Sequence, residues 1–250
     1  MCGRKKSEKR LDFKWTLSAI LCSDEGNRLF RTETACRKGA CIMRVVLING
    51  SPRATGNTRL ALDTMAEELK KESIETDIVH VGSQPIHGCI ACGYCETSPE
   101  HRCVFKDDPV NETVEKMRQA DGFILGAPTY YGGIAGAMKC FLDRAFYTSS
   151  GYFRYKVASA VAVVRRTGGL DTLHQLQNYL ALGETITPPS QYWTVGYGTD
   201  KGELAEDPEG MQTIRKHARA FAWLLKVVDA GKKSVPLPPE EAHIYTNFIR

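Results

Sequence analysis

RVVLINGSPRATGNTRLALDTM, residues Arg44 to Met65, changes its physical character twice. Val45–Ile48 are consecutive apolar residues, as in a strand that helices cover on both faces. Gly50–Asn57 then brings glycine, proline, hydroxyls and an amide, which suit a turn and let a ligand approach the backbone. From Thr58 the apolar residues Leu60, Leu62, Met65, Ala66 and Leu69 recur at helical spacing, so a helix is expected over Thr58–Glu72. Buried strand, small-residue loop and helix are the opening half of a right-handed βαβ unit.

The alternation continues to residue 228. After the first strand, Arg44–Asn49, further strands are expected at Thr76–Val81, Gly122–Ala127, Val157–Val164 and Tyr192–Tyr197. Helices are expected at Val110–Ala120, Ile134–Phe146, Leu170–Leu182 and Glu209–Val228. In the last of these, Met211, Ile214, Ala218, Phe221, Ala222, Leu224 and Leu225 stand at core spacing. The pattern predicts an α/β fold: a flavodoxin-like, doubly wound, five-stranded parallel sheet of order 2-1-3-4-5. The ligand crevice of such a sheet opens at the carboxyl ends of strands one and three, so functional residues should follow Asn49 and Ala127. Residues 43–230 make up this domain. Residues 1–42 show no sustained periodicity and read as an N-terminal extension, either disordered or preceding a natural start at Met43. Residues 231–250 form a Pro-broken tail expected to pack loosely or on a partner.

The 250 residues carry 33 Lys+Arg and 29 Asp+Glu, a formal charge of +4. Ten of the basic and five of the acidic residues fall within 1–42, so the body is close to neutral and carries no nucleic-acid footprint. No apolar run reaches about 18 residues, so no transmembrane helix or membrane association is expected. No secretory signal pattern is present, which points to a cytoplasmic location. In that setting clustered cysteines read as metal-binding or redox-active rather than disulfide-bonded.

Three loops have the chemistry of a cofactor site. The first, Gly50–Thr58, supplies the hydroxyls of Ser51, Thr55 and Thr58, the charge of Arg53 and the amide of Asn57. The helix that follows presents unpaired N–H groups to an anion. Neither Gly-Lys-Ser/Thr nor GxGxxG is present, so a mononucleotide phosphate such as that of FMN fits better than a dinucleotide. The second loop, Pro128-Thr129-Tyr130-Tyr131-Gly132-Gly133, follows strand three and would flank a flat isoalloxazine. The third, Arg165-Arg166-Thr167-Gly168-Gly169, follows strand four, where glycines permit close approach and an arginine would tune a flavin.

Of nine cysteines, four fall in HGCIACGYCETSPEHRC: Cys89, Cys92, Cys95 and Cys103, spaced C-x2-C-x2-C-x7-C. Soft thiolates select zinc or iron–sulfur centres. The CxxCxxC run resembles that of [4Fe–4S] sites, although no proline follows the fourth cysteine as in bacterial ferredoxins. Zinc and a metal-free set of thiols remain open at this point. His87 and His101 read as solvent-facing loop residues, and Cys140 as a buried, inert thiol.

Taken together, NGSPRATGNT, CIACGYC with CVFKDD, ADGFILGAPTYYGGIAGAMKCFLDR, VVRRTGG and GMQTIRKHARAFAWLL resemble the iron–sulfur flavoproteins within the NAD(P)H-dependent FMN reductase group. The resemblance spans Met43 to Val228. It implies FMN held by Ser51, Arg53, Asn57 and Thr58 at the phosphate, with Pro128, Thr129, Tyr130, Tyr131 and Gly132 along the ring and Gly168 and Gly169 closing the site. It also implies a [4Fe–4S] cluster on Cys89, Cys92, Cys95 and Cys103, and a homodimer or homotetramer in which flavin and cluster meet near a subunit interface. The cysteine loop is expected at the same sheet edge as the flavin. The expected function is an FMN-dependent oxidoreductase passing electrons through flavin and cluster to a small-molecule acceptor or ferredoxin, with no catalytic side chain. NAD(P)H is a candidate donor, but Arg165-Arg166 departs from the smaller residues expected there, so its contacts do not transfer. A cluster-free NAD(P)H-dependent FMN or quinone reductase and a flavodoxin-like electron carrier are the rival readings.

Overall fold

The computed structural model describes residues 36–37, 40–241, 244 and 246. Most of the N-terminal extension lies outside these residues. Its described part pairs Cys36–Arg37 antiparallel with Ala40–Cys41.

Five strands form one parallel sheet: β1 (Arg44–Asn49), β2 (Glu75–His80), β3 (Gly122–Tyr130), β4 (Val157–Val164) and β5 (Val195–Tyr197). Their spatial order is 2-1-3-4-5, with the short Gly133–Ile134 strand turning back on the end of β3. The connecting helices are α1 (Asn57–Lys71), α2 (Val110–Gln119), α3 (Gly136–Thr148), α4 (Gly169–Leu182) and α5 (Pro208–Gly231).

The sheet is covered on both faces, which is why β4 is buried at every position and reads as a continuous apolar run. On one face, Val46, Ile48, Phe123 and Leu125 pack under α2, α3 and α4. On the other, Val45, Leu47, Ile124 and Val161 pack under α1 and α5. The period-2 pleat sends alternate residues of one strand to opposite cores.

The helices bury narrower stripes than the spacing suggests. In α1, Ala61, Leu62, Met65 and Leu69 are buried, whereas Leu60 and Ala66 stand at the margin. In α5, Met211 and Leu224 are likewise marginal and His217 joins the core face. β3 continues past Ala127 to Tyr130 because Thr129 and Tyr130 find partners in Ile134 and Gly133. β5 starts three residues later than expected: the Val195 N–H donates to the Trp193 carbonyl, a tight turn that keeps Tyr192 and Trp193 out of the ladder. The tail beyond α5 is exposed over residues 234–241, with Glu240 tied to Arg154 at 2.7 Å. Among the described residues, no helix is long and apolar enough to cross a membrane.

Candidate functional site

The crevice forms where the chain leaves β1 and β3. Parallel pairing sets Asn49 beside Gly126, and the Gly50 N–H donates to the Gly126 carbonyl at 2.8 Å. Asn49, fully buried, organises the loop that follows: its Oδ1 accepts from the Ser51 N–H at 3.1 Å and its Nδ2 donates to the Ala54 carbonyl at 3.3 Å. Ser51 Oγ accepts from the Arg53 N–H, and His80 Nε2 donates to the Ser51 carbonyl at 2.7 Å. The loop is thereby held from both sides before any ligand arrives. It ends on α1, whose cap is Gly56, with no side-chain acceptor and no acidic residue in the first turn. An uncapped helix start beside hydroxyls and Arg53 suits a phosphate. Ser51 and Thr58 are buried there, whereas Arg53 and Thr55 are exposed.

Asn57 is turned elsewhere. Its Nδ2 donates to the Asp200 carbonyl and its Oδ1 accepts from the Gly202 N–H, both at 2.8 Å. Arg53 Nη1 donates to the Thr199 carbonyl at 3.1 Å. The 198–203 segment is therefore a fourth wall of the crevice, tied to the first loop by Asn57 and Arg53. The sequence sign of this wall is the GTDKGE composition of residues 198–203 after an apolar strand, a signal that names no partner for Asn57 or Arg53.

The second and third loops meet directly. A Cβ on Gly168 would stand 3.2 Å from Gly132 Cα and 3.3 Å from Thr129 Cγ2, and Gly168 itself has φ +84°. Only glycine takes that backbone without strain and leaves that space. Thr172 Oγ1 donates to Thr129 Oγ1 at 2.9 Å, and Gln175 reaches Gly132 O and the Ile134 N–H. Tyr131 holds φ +49° with its ring wholly in solvent, and Tyr130 is about half exposed. A bulky residue held in the left-handed region is strained, and such strain concentrates at ligand clamps. Pro128 is partly buried, while Thr167 is exposed on the third loop with Arg165 and Arg166.

The cysteine loop leaves the crevice end of β2, but its thiols lie elsewhere. Parallel strands β3 and β4 force the intervening α3 to run back toward the opposite end of the sheet. Cys89, Cys92, Cys95 and Cys103 all line one cavity of about 270 Å³, closed by Phe105, Arg144, Tyr147 and Thr148. Arg144 lies eight residues down α3 from Gly136, roughly 12 Å at 1.5 Å per residue. The thiol pocket therefore sits down the flank of α3, not at the crevice end of the sheet as expected. The loop is pulled down there by Arg118 at the end of α2, which donates to the carbonyls of Glu100, His101 and Thr148.

Arg144 has no exposed side-chain surface, nor effectively has Asp108, with which it forms a two-pronged ion pair. Its Nε donates to Cys103 Sγ at 3.1 Å. Burial opposes its charge, but the bonds to Asp108 and Cys103 outweigh that and hold it above the usual arginine range. Asn111 clamps the Cys103 backbone, accepting from its N–H at 2.8 Å and donating to its carbonyl at 3.0 Å. The sequence did hold a signal for Arg144: it falls on the stripe of Phe141, Ala145 and Thr148, where a charge needs a buried partner.

Cys89 and Cys92 are exposed, Cys95 and Cys103 partly buried, and all are free thiols. Burial pushes the Cys95 thiol up. Among the described residues, no three His, Cys, Asp or Glu side chains converge on a ready-made metal position. Four soft thiols around one cavity with a buried cation nevertheless have the donor chemistry of a thiolate-ligated centre. His87 is exposed and stacks on Phe105 at 4.9 Å, whereas His101 is half-buried and bonds the Cys95 carbonyl through Nδ1. Cys140 is partly exposed rather than buried, and faces Gly88.

A profile of the NADPH-dependent FMN reductase family matches residues 43–200. An iron–sulfur flavoprotein of Methanocaldococcus jannaschii is 34% identical over 194 residues, covering 74% of this chain and 99% of that protein. Another, from Archaeoglobus fulgidus, is 34% identical over 201 residues, covering 76% and 98%. Among solved structures, RosB with bound 8-demethyl-8-formylriboflavin-5'-phosphate superposes with a TM-score of 0.58 at 19% identity, covering 83% of this chain and 94% of that one, a likeness of fold. With the converging loops and the thiol pocket in place, these matches make the chain an FMN-containing oxidoreductase that belongs to the NADPH-dependent FMN reductase family, among its iron–sulfur flavoproteins.

Proposed function

We propose that FMN sits in the four-walled crevice and that Cys89, Cys92, Cys95 and Cys103 hold a [4Fe–4S] cluster, the pair serving electron transfer to a small-molecule acceptor or a ferredoxin. Bound FMN takes up a hydride or single electrons, and a cluster carries one electron at a time. The observation that carries the reading is the sharing of one cavity by all four thiols.

Ser51, Thr55 and Thr58, with the open N–H groups of α1, bind the phosphate, and Arg53 faces its charge. Asn57 acts at one remove by fixing the 198–203 wall. Pro128, Thr129, Tyr130, Tyr131 and Gly132 border the ring, and Thr167, Gly168 and Gly169 close it from the β4 side. In this reading no side chain serves as a general acid or base, and the protein's part is to bind, orient and tune.

The setback of the thiol pocket along α3 favours transfer between subunits of a homodimer or homotetramer. The exposure of Tyr131, Cys89 and Cys92 fits surfaces that a neighbouring subunit covers.

Anaerobic purification followed by flavin, iron and sulfide analysis tests the reading. Flavin with about four irons per chain is expected. Flavin without iron would leave the second reading, a cluster-free NAD(P)H-dependent reductase. That reading is favoured by the separate stance of the thiols and by a 28%-identical relative, an NADPH azoreductase of a Bacillus species.

A further inference from the structure

We propose that Arg144 is a positioning residue for the cluster: clamped by Asp108, it fixes the fourth thiol and raises the cluster's reduction potential. The inference rests on the reading of the four cysteines as cluster ligands.

Cys89, Cys92 and Cys95 follow one another at two-residue gaps, so the backbone of one short segment sets their relative positions. Cys103 comes after a seven-residue gap and needs outside anchors. Asn111 supplies one, by clasping the Cys103 main chain as a neighbouring strand would and holding the Phe105 carbonyl at 2.8 Å. Arg144 supplies the other, at the thiol itself.

All five guanidinium hydrogens of Arg144 have work in this structure. Nε reaches Cys103 Sγ; Nη1 reaches Asp108 and the His87 carbonyl at 3.3 Å; Nη2 reaches Asp108 and the Phe105 carbonyl at 3.4 Å. The guanidinium carbon lies over the Phe105 ring, 5.1 Å from its centroid. One side chain thus joins both feet of the cysteine loop, residues 87 and 103–108, to α3. Asp108 holds the fork by two of its nitrogens and so leaves Nε aimed at the sulfur. Lysine has neither the planar fork nor the number of donors, so it cannot replace this arrangement.

The consequence for a cluster is directional. Hydrogen bonds to ligand sulfur and nearby positive charge stabilise the more negative, reduced form, and so raise the potential. Removal of an outer hydrogen-bond partner also weakens metal binding, on the order of 10–100-fold.

The experiment compares the full-length protein with Arg144→Lys and Arg144→Gln. FMN content and thermal melting serve as folding controls, since Arg144 does not border the crevice. After anaerobic reconstitution with ferrous iron and sulfide, cluster iron and the potential from an anaerobic redox titration are measured. Arg144→Lys is expected to retain FMN, to lose cluster iron faster to a chelator, and to shift the potential of the remaining cluster downward. If the wild type takes up no iron, the cluster reading fails and this proposal falls with it. If the wild type takes up the cluster and both variants match it in iron retention and potential, this proposal alone is overturned. A variant that no longer folds is replaced by Asp108→Asn, which keeps the guanidinium but loosens the fork that Asp108 holds. There, faster iron loss supports the clamp, and iron retention equal to the wild type overturns it.

Discussion

Asn57→Ala separates two roles that one amide can have at the start of α1. In a phosphate-contacting role its loss acts only when FMN is bound. In the role the geometry supports, bracing the 198–203 segment, its loss acts before FMN arrives. Two bonds of 2.8 Å disappear, one to the Asp200 carbonyl and one from the Gly202 N–H. Each is worth about 1 kcal/mol net, because the freed groups lie near the surface and regain water. The segment's closed state should therefore weaken by about 2 kcal/mol, roughly 30-fold at tenfold per 1.4 kcal/mol. Amide hydrogen exchange in the FMN-free protein reads this directly, as faster exchange at Gly202 by up to that factor. FMN affinity, followed by flavin fluorescence, should fall by no more than the same factor, since only the closed wall completes the crevice. Unchanged exchange at Gly202 in the flavin-free variant, beside a large loss of FMN affinity, would refute the brace and return Asn57 to the phosphate.

Two further outcomes follow from single contacts. Gly168→Ala should cost about 1–2 kcal/mol from the left-handed backbone alone, hence a melting temperature roughly 2–8 °C lower for a domain of this size; FMN affinity should drop as the second and third loops are pushed apart. Gly231→Ala, where an added methyl meets nothing within 4 Å, is the control and should melt near the wild type. His217 is buried, donates through Nδ1 to the Pro189 carbonyl, and accepts from the Ser159 hydroxyl at Nε2, so burial holds its pKa below the ordinary 6.5. Below pH 6.5 the unfolded chain binds a proton that the folded one refuses, and stability should fall with pH at up to about 1.4 kcal/mol per unit. Denaturant unfolding from pH 7.5 to 5 should show this slope in the wild type and a shallower one in His217→Gln; equal slopes would place the titration on another group.

The parts of this molecule that local physics decides were legible in the chain. Val45–Ile48 and Val157–Val164 are apolar because helices lie on both of their faces, and that pattern fixes a parallel sheet before any contact is known. Gly168 was legible for the same reason, since its left-handed backbone is a demand of the turn itself. The roles of Asn57 and Arg144 were not, because their partners lie far along the chain: Asp200 and Gly202 for the one, and His87, Cys103 and Asp108 for the other. Nothing near Asn57 distinguishes an amide aimed at a phosphate from one turned onto a loop more than 140 residues away. The same limit explains the misplaced cysteine loop. Its starting point follows from the end of β2, but its course is set by Arg118 and Arg144, which draw it down the flank of α3. A long-range arginine therefore decides where the thiols lie, and the spacing of the cysteines, however dense, decides only which thiols can share a centre.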